Sequence, residues 1–98
     1  ELLEVSFPAL DSVGNVMLEN PTLEILLSGH TDGIGDMKLN QQLSEDRVAT
    51  VKQYLVDLGI DPKRIETEAF GGRKPIASNA REETRRLNRR VEVTILKY

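Results

Sequence analysis

Arg47 lies inside a segment, from about Leu39 to Leu58, whose apolar residues recur at helical spacing. At about 100° per residue, Leu43, Val51, Tyr54 and Leu58 fall within about 40° of it, so a guanidinium points where a helix normally buries hydrocarbon. Asn40 is seven residues earlier and shares that face, roughly 10 Å along the axis. A buried or half-buried arginine is costly unless it meets a carboxylate or another set of acceptors. An internal ion pair, a side chain that snorkels to the rim, or a pocket in which the planar fork grips a ligand carboxylate would each meet that need. The stretch Ser28-Gly29-His30-Thr31-Asp32-Gly33 ends a strand and leads towards the helix, a place where ligand groups gather in α/β folds. Asp32 is the acidic counterpart expected for Arg47; the alternative is an Asx-turn ahead of Gly33.

The remaining polar residues exclude more than they suggest. His30 is the single histidine and there is no cysteine, so neither a triad-like nucleophile and base nor a zinc site is expected. His30 reads as a packing or turn residue, and the chain as a binding module rather than an enzyme, without a cofactor. Arg81, Arg85, Arg86, Arg89 and Arg90 form a basic cluster, but Glu82, Glu83 and Glu92 interleave it, and two Phe and two Tyr give little for bases to stack on. With a formal net charge of −3, no nucleic-acid partner is expected.

The elements that must position these residues follow from periodicity. Phe7, Leu10, Val13, Met17 and Leu18 predict a first helix, with Ser6 as N-cap and Asn20-Pro21 as the stop. Leu23, Ile25 and Leu27 alternate as a strand ending at Gly29. The long helix then runs until Gly59 stops it. Ile65, Thr67 and Ala69 predict a second strand. Asn79 and Glu82 resemble a capping box that opens a short helix to about Leu87. Val91, Val93 and Ile95 alternate as a third strand. This order favours helices packed on one face of a sheet. At 98 residues, with 39% hydrophobic and 30% charged content, residues 1–98 form one domain. No apolar run approaches the roughly 20 residues that span a bilayer as a helix.

Three ordered motifs carry a resemblance. Gly29-His30-Thr31-Asp32, then Asn40-x-x-Leu43-Ser44-x-x-Arg47-x-x-x-Val51-x-x-x-Leu55, then Asn88-Arg89-Arg90-Val91-Glu92 resemble the signature of OmpA-like domains. That group includes peptidoglycan-associated lipoproteins and the periplasmic part of flagellar stator proteins. The match runs from about the first helix to Ile95, with Gly71, Pro75, Asn79 and Arg85 in register.

The resemblance implies an α/β fold, a two-layer sandwich with a mixed sheet, helices on one face and a βαβαβ-type order. A strand ahead of the first helix is expected to be missing from this chain, with Glu1 to Val5 as its connection. The implied partner is the peptidoglycan stem peptide. Asp32 would accept hydrogen bonds from the ammonium of its diamino acid, usually meso-diaminopimelate, and Arg47 would bind that residue's carboxylate. Asn40 and Arg89 would line the pocket, with Thr31 and Gly33 beside Asp32. The parent protein would attach to a membrane through a region outside this chain and work on the periplasmic side of the outer membrane. A stator-type anchor or an envelope protein-interaction module is the alternative use of the same fold. Val48 departs from the pattern, which usually has alanine after the arginine.

Overall fold

A computed structural model describes residues 6–98, with side chains from residue 9 onward. The expected N-cap at Ser6 and the connection at Glu1 to Val5 lie outside the described side chains and residues. In chain order the elements are α1 (Ser6–Glu19), β1 (Glu24–His30), α2 (Met37–Asp57), β2 (Ile65–Ala69), α3 (Glu82–Arg85) and β3 (Arg90–Lys97). Short 3-10 turns at Pro62–Arg64 and Arg86–Asn88 lead into the last two strands.

The long helix begins where Asp36 caps it, its carboxylate accepting from the Lys38 N–H at 2.7 Å and the Leu39 N–H at 3.2 Å. Gly59 ends it at a φ of +108°, a value a side chain would resist. The buried residues of α2 are Ser44, Arg47, Val48, Val51 and Leu55. Leu43 and Leu58, expected inside, are 40% and 39% exposed. The centre of the buried stripe therefore lies nearer Ser44 and Leu55, and Arg47 sits about 60° to one side of it. Arg64 closes the other helix, donating from Nη2 to the Met17 and Asn20 carbonyls at 2.8 and 2.6 Å, and so satisfies acceptors that a helix end leaves open.

The sheet order is β2-β1-β3. β1 runs parallel to β2, with Ile25 opposite Ile65 and Gly29 opposite Ala69. It runs antiparallel to β3, with Ile25 opposite Ile95 and Leu27 opposite Val93. Side chains alternate between faces, so Ile25, Leu27 and Ile65 share one side. There they join Leu10 and Met17 of α1 and Val48, Val51 and Leu55 of α2 in a single core. The other side carries Ser28, His30, Glu68, Arg90 and Glu92. This is the expected mixed sheet with helices on one face.

Close approach of helix and sheet depends on Gly29, where an added Cβ would stand 2.5 Å from the Ser44 carbonyl oxygen. The coverage is incomplete at both margins. Thr67 faces the helices by register yet is exposed, in a groove of about 560 Å3 between α2 and β2. Val93 and Ile95 also face the helices but are 41% and 50% exposed, because α1 leaves an apolar cleft of about 240 Å3 beside them.

The capping box is not formed. Arg81 occupies the N-cap position of α3 without a side-chain hydrogen bond, and α3 stops at Arg85. Asn79 turns away from the helix: its Oδ1 accepts from the Gly33 N–H at 3.1 Å and from Asn88 Nδ2 at 2.8 Å. The alternative tertiary contacts outcompete the local cap.

Candidate ligand-binding site

The site is built around the turn that leaves β1. The Phe70 N–H donates to the Gly29 carbonyl at 2.9 Å and the Thr31 N–H to the Gly71 carbonyl at 2.8 Å, so the loop after β2 is fastened to the end of β1. Ser44 adds a third tie from α2, its hydroxyl accepting from the Gly71 N–H at 2.9 Å. Three elements thus converge on one end of the parallel pair, the position where such sheets gather ligand groups.

Asp32 is half-buried at this junction. Its Oδ1 accepts from the Ile34 N–H at 3.1 Å, an Asx-turn, while Oδ2 pairs with Arg89 Nη1 at 2.9 Å. Both uses of the carboxylate coexist, but the cation is Arg89 and not the Arg47 expected from the sequence. The pairing spans 57 residues of chain, which no local spacing reveals. Arg89 also reaches Glu82 through Nη2 at 2.5 Å, and Glu82 reaches Arg85 Nη1 at 3.3 Å. Hydrogen bonds from Glu82 first and Asp32 second raise the Arg89 pKa and hold its charge. The Arg89 bond holds the Glu82 carboxyl below its ordinary range.

Arg47 lies under this turn, 7% exposed, with Nη1 donating to the His30 carbonyl at 3.2 Å. Asn40 donates from Nδ2 to the Ile34 carbonyl at 2.9 Å, closing the turn from the helix side. Thr31 is buried, its hydroxyl spent on the Asp32 carbonyl at 2.8 Å, so it shapes the turn from within. Gly33 is exposed and is held by Asn79. The structure therefore brings Asp32, Gly33, Asn40 and Arg89 together at the surface and places Thr31 and Arg47 behind them.

Asn88 is the organiser that sequence reasoning passed over, although it opens the Asn-Arg-Arg motif. It is fully buried; Oδ1 accepts from the Ile76 and Ala77 N–H groups at 2.7 and 3.0 Å, and Nδ2 donates to the Ala77 carbonyl and Asn79. Through Asn79 it anchors Gly33, and through its neighbour it sets Arg89.

Beside the turn opens a cavity of about 510 Å3 whose lining includes Gly33, Asn40, Met37 and Phe70, with Lys38 and Arg73 as its charged members. His30 stacks on Phe70 at 5.3 Å between ring centroids and approaches Glu92 Oε1 to 3.4 Å. Burial, then Arg90, pushes the His30 pKa down. Among the described residues no cluster of three His, Asp or Glu side chains could hold a metal ion.

Known proteins resemble this chain in sequence and in fold. The sequence profile of the OmpA family matches residues 3–89. Outer membrane protein A of Bordetella avium is 54% identical over 72 residues, 74% of this chain and 37% of the relative. The peptidoglycan-binding protein ArfA of Mycobacterium bovis is 35% identical, over 96% of this chain and 29% of its own length. The crystal structure of the peptidoglycan-associated lipoprotein from Burkholderia pseudomallei superposes with a TM-score of 0.89 at 26% identity, covering 96% of this chain and 80% of that one. The chain spans well under half the length of these curated relatives. With the profile covering most of its length and the mixed sheet of the lipoprotein reproduced, the chain belongs to the OmpA family.

Proposed function

We propose that this chain binds peptidoglycan without cleaving it, gripping the diamino acid of the stem peptide. The observation that carries the reading is the half-buried Asp32–Arg89 pair, 2.9 Å apart at the mouth of a braced turn. A zwitterionic centre presents an ammonium and a carboxylate together. Inserted here, it exchanges one internal ion pair for two intermolecular ones, the ammonium on Asp32 and the carboxylate on the arginines. Because Glu82 keeps Arg89 in place, the cation is already oriented before the ligand arrives. Arg47, on the floor of the turn, supplies the second guanidinium, and Asn40 and Gly33 shape the rim, with Thr31 supporting Asp32 from inside.

The names of the relatives support the reading at the level of the whole protein. One is an outer membrane protein, one a peptidoglycan-binding protein and one a peptidoglycan-associated lipoprotein. The parent protein would sit on the periplasmic side of the outer membrane and use this domain as its tether to the wall.

Co-sedimentation with isolated sacculi tests the proposal. Asp32→Asn removes the anion while nearly preserving shape, so binding should weaken roughly ten- to a hundredfold, the equivalent of one charge-assisted hydrogen bond. Circular dichroism should stay unchanged. Full binding by the folded variant, or a wild-type chain that stays in the supernatant, would refute the assignment. Soluble muropeptides accumulating over time would show that the chain is an enzyme after all.

A further inference from the structure

The chain carries a formal charge of −3, yet the cavity beside Asp32 and Arg89 is lined by two cations and no acidic residue. Arg73 is braced there by neutral acceptors: Nε donates to the Phe70 carbonyl at 2.9 Å, and Nη2 reaches Gln41 Oε1 and the Ala69 carbonyl, each at 3.3 Å. None of the ion pairs among the described residues involves Arg73, Lys38 or Lys74. Lys74 adds its charge from the neighbouring position, its Nζ 3.9 Å from the centre of the Phe70 ring. A guanidinium oriented by neutral acceptors, without a carboxylate partner, is a prepared anion site, and Met37 and Phe70 give the cavity an apolar lining beside it. The loop that carries Arg73 is fastened at its start, where Phe70 and Gly71 are bonded to Gly29, Thr31 and Ser44.

The position of the cavity limits what its occupant is attached to. Gly33 and Asn40 line it and also border the turn that holds Asp32. The cavity therefore adjoins the turn that carries Asp32. We infer that this cavity is a second subsite for the stem peptide, taking the residue next to the diamino acid, with Arg73 and Lys38 holding that residue's carboxylate. The inference rests on the peptidoglycan reading above and adds to it a choice among stem peptides. Two carboxylates have the required chemistry. One is the α-carboxylate of the γ-linked glutamate on the amino side of the diamino acid; the other is the terminal carboxylate of an alanine on its carboxyl side.

Calorimetric titration of the chain with three soluble stem peptides separates the possibilities: one with both carboxylates free, one amidated at the glutamate and one amidated at the terminus. Amidation at the recognised position should weaken wild-type binding about five- to tenfold, a partly exposed charge-assisted contact. The same amidation should change binding to Arg73→Gln less than about twofold. Lys38→Gln, on the exposed first turn of α2, provides a second variant should Arg73→Gln melt early, and it should blunt the discrimination in the same direction. Which amidation matters identifies the carboxylate. Equal wild-type affinity for all three peptides, or an Arg73→Gln variant that keeps the full discrimination, would overturn the subsite while leaving the diamino acid site standing. No binding of the free peptide at all would remove both.

Discussion

At 7% exposure Arg47 keeps almost none of its hydration, whereas Arg89 keeps 29%, and the two guanidiniums accordingly do different work. The half-buried one, paired with Asp32 and Glu82, can trade an internal partner for a ligand at a smaller desolvation cost. The buried one holds the His30 carbonyl and with it the end of β1. Arg47→Lys keeps the charge but loses the planar fork, so it should cost about 1–2 kcal/mol of stability, roughly 5–15 °C in melting temperature for a domain of this size. Sacculus binding measured well below that temperature then isolates the second role. A further ten- to hundredfold loss, as for one charge-assisted bond, is expected if the fork meets a ligand carboxylate. Unchanged binding by the folded variant would make Arg47 scaffolding alone. The helical wheel marked Arg47 as out of place because it follows sequence spacing. It could not show that Leu43 and Leu58 lie outside, nor that Asp32 would pair across 57 residues with Arg89.

Among the elements, those with a strong period were readable and those built from cross-loop contacts were not. β1, β2, β3 and α2 appear where alternation and the helical repeat put them, since a sheet with one face on a core must alternate. α3 was misread at its start because Asn79 serves Gly33 and Asn88 instead of its own helix. The contact between β1 and α2 leads to a prediction at this scale. Gly29→Ala would drive a Cβ to 2.5 Å from a backbone oxygen of α2, so the helix must move. A cost of about 2–3 kcal/mol is expected, roughly 10–20 °C in melting temperature, and a shift within a few degrees would show that the helix yields freely. His30, on the other face of β1, gives the element a pH dependence. Its folded pKa is lowered, by burial first and Arg90 next, so above the unfolded value of 6.5 both states are neutral and stability is full. As pH falls through 6.5 the unfolded chain takes the proton first, and stability declines towards the folded pKa. Melting curves between pH 8 and pH 5.5 should show this decline in the wild type and lose most of it in His30→Phe, which keeps the ring on Phe70. An identical decline in the variant would assign the effect to other groups.

Across the whole molecule, the uneven cover of the sheet has consequences beyond the site. The helix layer closes over Ile25, Leu27 and Ile65, while its margin at β3 leaves Val93 and Ile95 half in water next to Val13 and Val16. β3 is the last strand of the sheet among the described residues, so its outer backbone groups and these apolar side chains lie together on one flank. Apolar area that is already wet in the folded state contributes little to folding, because the stabilisation follows area removed from water at about 25 cal/mol per Å2. The double variant Val93→Thr with Ile95→Thr should therefore lower the melting temperature by less than about 10 °C, the cost of the halves that are buried, threonine being equally suited to a strand. It should also reduce self-association at high concentration and the binding of a hydrophobic dye, since exposed edges with apolar faces favour sticking. A fall of about 10 °C or more would mean that the two side chains are buried in solution, by a segment of the chain lying across that flank. Sedimentation velocity at two concentrations would then distinguish a covering segment, which leaves a monomer, from a second copy, whose removal converts dimer to monomer.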